Sequence, residues 1–174
     1  MDTIPIRLAV PRHYQRRPVS IGRAMLPDKR IEITIVWAGE SLRYRISSLV
    51  YALFRLILYG RLEDIETIYL LPGHRVNMNG TLNHPDITSF DDTSAGHYTT
   101  TYSTESSEIL LYVNTWNHLM SPRPLPFLNY VQIPEPPQIN ETRAETERRL
   151  SIPWPWKQNV SSSGKKAPSI NLPS

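Results

Sequence analysis

The fold of this 174-residue chain is decided by residues 31–71, which read IEITIVWAGESLRYRISSLVYALFRLILYGRLEDIETIYLL. In residues 31–37, large apolar side chains alternate with Glu32, Thr34 and Val36, a period of two that predicts a strand with one buried face. Residues 65–71 are rich in β-branched and aromatic side chains and end at Pro72-Gly73, which predicts a second strand. Most of the apolar pattern able to form a core lies in this unit.

A helical pattern separates the two predicted strands. Ser41 suits an N-cap, because its hydroxyl can accept a hydrogen bond from a free backbone N–H, and Gly60 suits a helix stop. We therefore predict one long amphipathic helix of about five turns. Its apolar residues fall on one stripe, at Leu42, Ile46, Leu49, Val50, Leu53, Phe54, Ile57 and Leu58.

Two further strands are predicted at residues 97–103 and 108–116, and residues 73–96 have the Asn, Asp, Gly and Pro content of a long acidic loop. The expected fold is α+β. An antiparallel sheet of four or more strands packs on the long amphipathic helix, with an extended N-terminal arm and a Pro-rich C-terminal region. The expected divisions are a basic arm (1–30), a core domain (31–121), a Pro-rich strap with a short charged helix (122–158) and a disordered tail (159–174).

Charge is unevenly distributed along the chain, although the net charge is only +3. Residues 61–115 carry two arginines against eight acidic side chains, whereas residues 1–30 are basic. Such a basic segment suits contact with a polyanion, with an anionic membrane or with the acidic surface of another copy. The candidate contact residues are Arg7, Arg12, Arg16, Arg17, Arg23, Lys29 and Arg30.

Ten of the sixteen prolines lie in residues 122–173. Arg123, Pro124 and Pro126 have the pattern of a polyproline ligand for SH3- or WW-type modules, and the alternative is a strap laid across the domain. Trp154 and Trp156 are the other candidate partner contacts, because exposed tryptophans in a polar tail need a partner, a membrane interface or their own domain to cover them.

Residues able to carry chemistry are sparse. The chain has no cysteine, and its five histidines do not fall at metal-ligand spacing, so we expect no enzyme activity, no metal and no cofactor. The remaining enzymatic alternative is Asp91-Asp92 between His84 and His97. We expect His118 to be a packed residue at the edge of the core rather than a general base.

The order of elements in residues 31–73 resembles the central region of rhabdovirus matrix proteins. The features shared are a strand, then Ser41-Leu42-Arg43 opening a long helix that ends at Tyr59-Gly60, then an apolar strand ending in Pro-Gly. The small size is similar to that of matrix proteins from plant-infecting members, notably cytorhabdoviruses. The chain lacks the Pro-Pro-x-Tyr motif and the dense lysine cluster of the animal-virus proteins.

This resemblance implies a structural protein of the virion. Such proteins self-associate, condense the nucleocapsid and line the inner face of the envelope, and in the host cell they are found in the cytoplasm and at membranes. The expected function is therefore a viral matrix protein that bridges the ribonucleoprotein to the envelope during assembly. The alternative is an intracellular adaptor that presents Pro-rich motifs to SH3- or WW-type partners.

Overall fold

A computed structural model describes residues 4–14, 16–40, 45–81, 87–91 and 98–152. Within them lie ten strands and two helices. The strands are β1 (Ile6–Pro11), β2 (Pro18–Met25), β3 (Ile31–Trp37), β4 (Asp64–Leu71), β5 (Arg75–Gly80), β6 (Tyr98–Ser103), β7 (Ile109–Val113), β8 (Met120–Ser121), β9 (Tyr130–Gln132) and β10 (Gln138–Ile139). The helices are α1 (Arg45–Tyr59) and α2 (Arg143–Leu150).

The strands form one mixed sheet that curls into a half-barrel. Its order is β10-β2-β3-β4-β5-β8-β7-β1-β9, and β6 pairs with β5. The centre is an antiparallel meander of β2 to β5, while β1 pairs in parallel with β7, with Ile6 opposite Ile109. The core residues come from most of these strands and include Trp37, which is fully buried.

The predicted fold class is wrong. The sheet is mixed rather than antiparallel, and it does not pack on the apolar stripe of a long helix. Residues 6–11 and 18–25 are strands of the sheet rather than an extended arm, because alternate residues of β1 (Ile6, Leu8 and Val10) are buried in the core. The Pro-rich region also joins the sheet, since β9 pairs with β1 and β10 pairs with β2.

Several local predictions are confirmed. The strands at 31–37 and 65–71 are β3 and β4, and Gly60 ends α1 with a left-handed backbone (φ 71°). β3 is buried on both faces, however, because α2 packs against β3 and β4. The N-cap of α2 is Thr142, whose side chain accepts from the Glu145 N–H in a capping box. The predicted N-cap of α1, Ser41, lies outside the described residues.

α1 connects the end of β3 to the start of β4, so it lies at one end of the central strands. In that register Trp37 is opposite Asp64, and Ile31 is opposite Leu70. The turn between β2 and β3 and the turn between β4 and β5 lie at the other end. We call these the α1 end and the turn end of the sheet. The domain boundaries drawn from the sequence stay a prediction.

Candidate functional site

The outer surface of α1 is apolar. Its residues have the spacing of one helical stripe, yet they are exposed: Ile46 is 80% exposed, Leu49 64% and Phe54 55%. A helix that packs on a core normally buries such a stripe. We call this surface the α1 apolar face, and it consists of Ile46, Leu49, Val50, Leu53, Phe54, Ile57 and Leu58.

The opposite side of α1 is fixed to the domain by a charge. Arg55 is buried, with a side chain only 7% exposed. Its Nη1 lies 3.0 Å from Glu40 Oε2, and its Nη2 donates to Asp64 Oδ1 over 3.0 Å. Nη2 also donates to the carbonyl of Glu63 (2.9 Å). Because both carboxylates are themselves buried, these ion pairs set which side of α1 faces inward.

Asp64 also contacts the buried ring of His118, which in turn contacts the buried ring of Tyr14. Its Oδ2 lies 2.7 Å from His118 Nδ1, and Nε2 of the same ring lies 2.6 Å from the Tyr14 hydroxyl oxygen, both within hydrogen-bond distance. The His118 ring also stacks on Trp37, with centroids 4.2 Å apart and planes 8° from parallel. We call Tyr14, Glu40, Arg55, Asp64 and His118 the polar network.

The buried carboxyl groups of this region have pKa values shifted in opposite directions. Burial and the nearby negative charge of Asp64 raise the pKa of Glu40, and they raise the pKa of Glu66 on β4 well above its usual range. Burial acts in the same direction on Asp64, but its hydrogen bond with His118 and the charge of Arg55 lower its pKa overall. The site therefore favours the ionised form of Asp64 and disfavours that of Glu40, relative to a carboxyl group in water.

The polar network has ligand atoms suited to a metal ion, because one atom each from Glu40, Asp64 and His118 lie within 4.8 Å of one another. The guanidinium of Arg55 already lies against both carboxylates, so its positive charge would repel a metal cation bound there. Tyr14 and His118 are 3% and 0% exposed, so both rings lie in the interior of the domain. Through Arg55 the network joins α1 to β4. His118 is packed, as predicted, but it is fully buried rather than at the edge of the core, and its not being a general base stays a prediction.

Three of the predicted basic contact residues lie at the α1 end. Arg12, Arg16 and Arg17 belong to the connection between β1 and β2, and the carbonyl of Arg17 accepts from the Ala38 N–H just after β3 (3.1 Å). Tyr14 of the same connection lies in the polar network. Arg12 and Arg17 are exposed, so they put positive charge near α1.

The other predicted basic residues are not brought together with these. Lys29 and Arg30 lie at the turn end, and Arg30 pairs with Asp28 (2.6 Å). Arg7 pairs with Glu108 across β1 and β7 (3.0 Å), and half-buried Arg23 donates to the carbonyl of Ile4 (3.1 Å). The seven residues therefore do not form one continuous patch.

The predicted polyproline ligand follows β8 and is folded into the domain. Leu125, between the two prolines, packs against Ile87 and Leu119, and its N–H donates to the Tyr130 hydroxyl (3.3 Å). Arg123, Pro124 and Pro126 are exposed. Trp154, Trp156, His84, Asp92 and His97 lie outside the described residues, and Asp91 is exposed.

The sequence did not point to the polar network, although Arg55 carried a signal. Arg55 is the one charged residue in residues 46–60 and lies off the apolar stripe, which indicates a special environment. Its partners could not be found from spacing, because Tyr14 and His118 are 104 residues apart.

Comparison with protein-family models, with curated proteins and with solved structures finds no match. Within the described ranges, the helices are all too short or too polar to cross a membrane.

Proposed function

We propose that this chain is a non-enzymatic structural protein of the viral-matrix type, in which α1 docks on an anionic membrane while copies associate and hold a nucleocapsid. The observation that carries the proposal is the α1 apolar face, which turns seven large apolar side chains outward. Contiguous apolar surface of this kind is characteristic of interaction sites.

A membrane surface fits the size and setting of this face. α1 has 15 residues, a length suited to lying in the plane of the interface with its apolar side buried in the head-group region. Full burial of one Leu, Ile, Val or Phe side chain contributes about 1.5–3 kcal/mol, so even partial burial of this face would give substantial binding.

The charges around α1 favour an anionic membrane as the occupant. Residues 41–62 contain no acidic residue, and exposed Arg12 and Arg17 lie at the same end of the sheet. Each basic side chain near an anionic surface adds about 1 kcal/mol.

The segment after α2 also lies near α1. Ile152, 44% exposed, donates its N–H to the carbonyl of Gly60 at the end of α1, and Trp154 and Trp156 follow it in sequence. Tryptophan is enriched at membrane interfaces.

The two ends of the sheet suit a bridging role. Lys29 and Arg30 lie at the turn end, separated from α1 by the seven residues of β3, or about 23 Å. A nucleocapsid contact there would leave the α1 end free for lipid. Association between copies would multiply weak individual contacts across an assembly.

The adaptor alternative has less support. Leu125 in the Arg123–Pro126 segment packs on Ile87 and Leu119, so docking that segment in a polyproline groove would require it to leave the domain.

Vesicle flotation tests the proposal with a matched pair of phenylalanines. Phe54 on α1 is 55% exposed, and Phe127 in the connection between β8 and β9 is 46% exposed. Phe54→Asp should weaken binding to anionic vesicles by about tenfold or more, because it removes apolar contact and adds a like charge. Phe127→Asp should change binding by less than about twofold.

The charge contribution is tested with arginines at the two ends. Arg12→Gln/Arg17→Gln should weaken binding to anionic vesicles at low salt, whereas Arg75→Gln at the turn end should not. High salt should remove the difference.

Equal loss of vesicle binding with Phe54→Asp and with Phe127→Asp, or no vesicle binding at any salt, would overturn the proposal. So would a dimer in sedimentation that Phe54→Asp dissociates while vesicle binding is unchanged, because the face would then be a contact between copies.

A further inference from the structure

A second feature lies at the turn end of the half-barrel, away from α1. A cavity of about 220 Å³ opens there between the β2–β3 turn, the β4–β5 turn and the start of β7. Its floor continues the core, because Ile31, Leu70, Val76 and Ile109 line it and belong to the main hydrophobic cluster. The mouths of β-barrels are common places for small-ligand sites.

The rim of this cavity is basic. Lys29, His74 and Arg75 line it beside the apolar floor, and none of the described residues that line it is an aspartate or a glutamate. Arg75 is exposed, and its Nε donates to the carbonyl of Pro72 over 3.3 Å. The guanidinium therefore has N–H groups available for an anion. An apolar floor with a cationic rim is complementary to a molecule with an aliphatic body and one anionic group.

Two of the rim residues have an uncommon backbone conformation. Lys29 has φ 68° and His74 has φ 55°, the left-handed region that non-glycine residues seldom adopt. Such residues cluster at ligand sites, and here both place a basic side chain at the same rim.

We infer that this cavity is a binding site for an aliphatic carboxylate of medium chain length. The chain would lie on Ile31, Leu71 and Pro72, and the carboxylate would pair with Arg75 and Lys29. This site is independent of the membrane contact of α1, since the two lie at opposite ends of β3 and β4.

The test measures the binding of sodium octanoate to the full-length chain, by the change of amide NMR shifts and by calorimetry. Octanoate should bind with a Kd on the order of 0.1–1 mM, as expected for a ligand of this size. The shifts should centre on residues 29, 73–76 and 104. Octanamide, which keeps the chain but lacks the charge, and butyrate, which keeps the charge but has a shorter chain, should each bind at least about fivefold more weakly.

Exposed arginines at the two ends supply the matched variants. Arg75→Gln should weaken octanoate binding by about fivefold while leaving octanamide unchanged, and Arg12→Gln should have no effect on either. Octanamide binding as tightly as octanoate, an unchanged Kd in Arg75→Gln, or shifts confined to α1 would each overturn the inference. Phe54→Asp should leave octanoate binding unchanged, so failure of the membrane proposal and failure of this one are distinguishable.

Discussion

α1 and α2 are both held to the sheet by polar contacts, yet they present opposite surfaces to their surroundings. α2 buries Thr146, and Arg143 bonds to Glu32 and Thr67 on β3 and β4, while charged residues such as Arg148 face outward. α1 buries Arg55 and turns its apolar stripe outward. The outer surface of α2 is what a solvent-facing helix ordinarily shows, and that of α1 is what an interface shows. In this protein, therefore, the apolar content of a helix does not decide which of its sides is buried.

The largest expected effect comes from removing the inward anchor of α1. Arg55→Met leaves the buried carboxylates of Glu40 and Asp64 without their cation, and should lower the free energy of unfolding by about 3–5 kcal/mol. Urea denaturation followed by circular dichroism measures this.

The control is another arginine–carboxylate pair, Arg7 with Glu108, whose side chains are 56% and 44% exposed. Arg7→Met should cost less than about 1 kcal/mol, because an exposed pair gains little. If Arg55→Met fails to fold, Arg55→Lys should still fold and lose less, because it keeps the charge. A cost for Arg55→Met no larger than that for Arg7→Met would show that Arg55 does not anchor the helix.

Glu66 provides the next largest effect, and it depends on pH. Burial and the charge of Asp64 raise its pKa well above the usual 4.5, so the folded state holds the proton more tightly than the unfolded state. This stabilisation is complete below pH 4.5 and is lost as pH rises through the raised pKa. Glu66→Gln should therefore match the parent near pH 4.5 and be more stable than the parent at pH 8.

Thermal unfolding across this pH range measures the difference, with Glu105→Gln as an exposed control that should show none. A Glu66→Gln variant that is less stable than the parent at pH 8 would mean that the ionised carboxylate is favoured in the fold. Asp64 works in the opposite direction, since its pKa is lowered and its contribution is lost as pH falls.

The smallest expected effect is on the outer surface of α1. Leu53 is 54% exposed and Leu111 is fully buried on β7. Leu53→Ala should change the free energy of unfolding by less than about 0.5 kcal/mol, whereas Leu111→Ala should cost about 2–5 kcal/mol. Comparable losses from the two changes would mean that the α1 stripe packs inward in solution.

The elements set by local pattern were predictable, and their assembly was not. The alternation in β3 and the 3.6-residue period of α1 are properties of neighbouring residues, so both are visible in the sequence. Periodicity shows which side chains share a face, but not where that face points. Its direction depends on Arg55 and on Glu40 and Asp64, which lie outside the helix.

Long-range pairing was also beyond the sequence pattern. β1 pairs with β7 about 100 residues away, and its prolines and basic neighbours indicated an arm instead. β5 was missed because Val76 and Met78 alternate with Asn77 and Asn79, residues that favour turns. The polar network was missed for the same physical reason, since its members come from four separate parts of the chain.

If the α1 apolar face enters an anionic membrane, a fluorophore attached to that face should move from water into lipid. The chain has no cysteine, so Phe54→Cys and Phe127→Cys can each carry one environment-sensitive fluorophore. On adding anionic vesicles, the label at residue 54 should shift to the blue and be quenched by a lipid-bound quencher, and the label at residue 127 should do neither. An unchanged label at residue 54, or equal changes at both positions, would contradict the account.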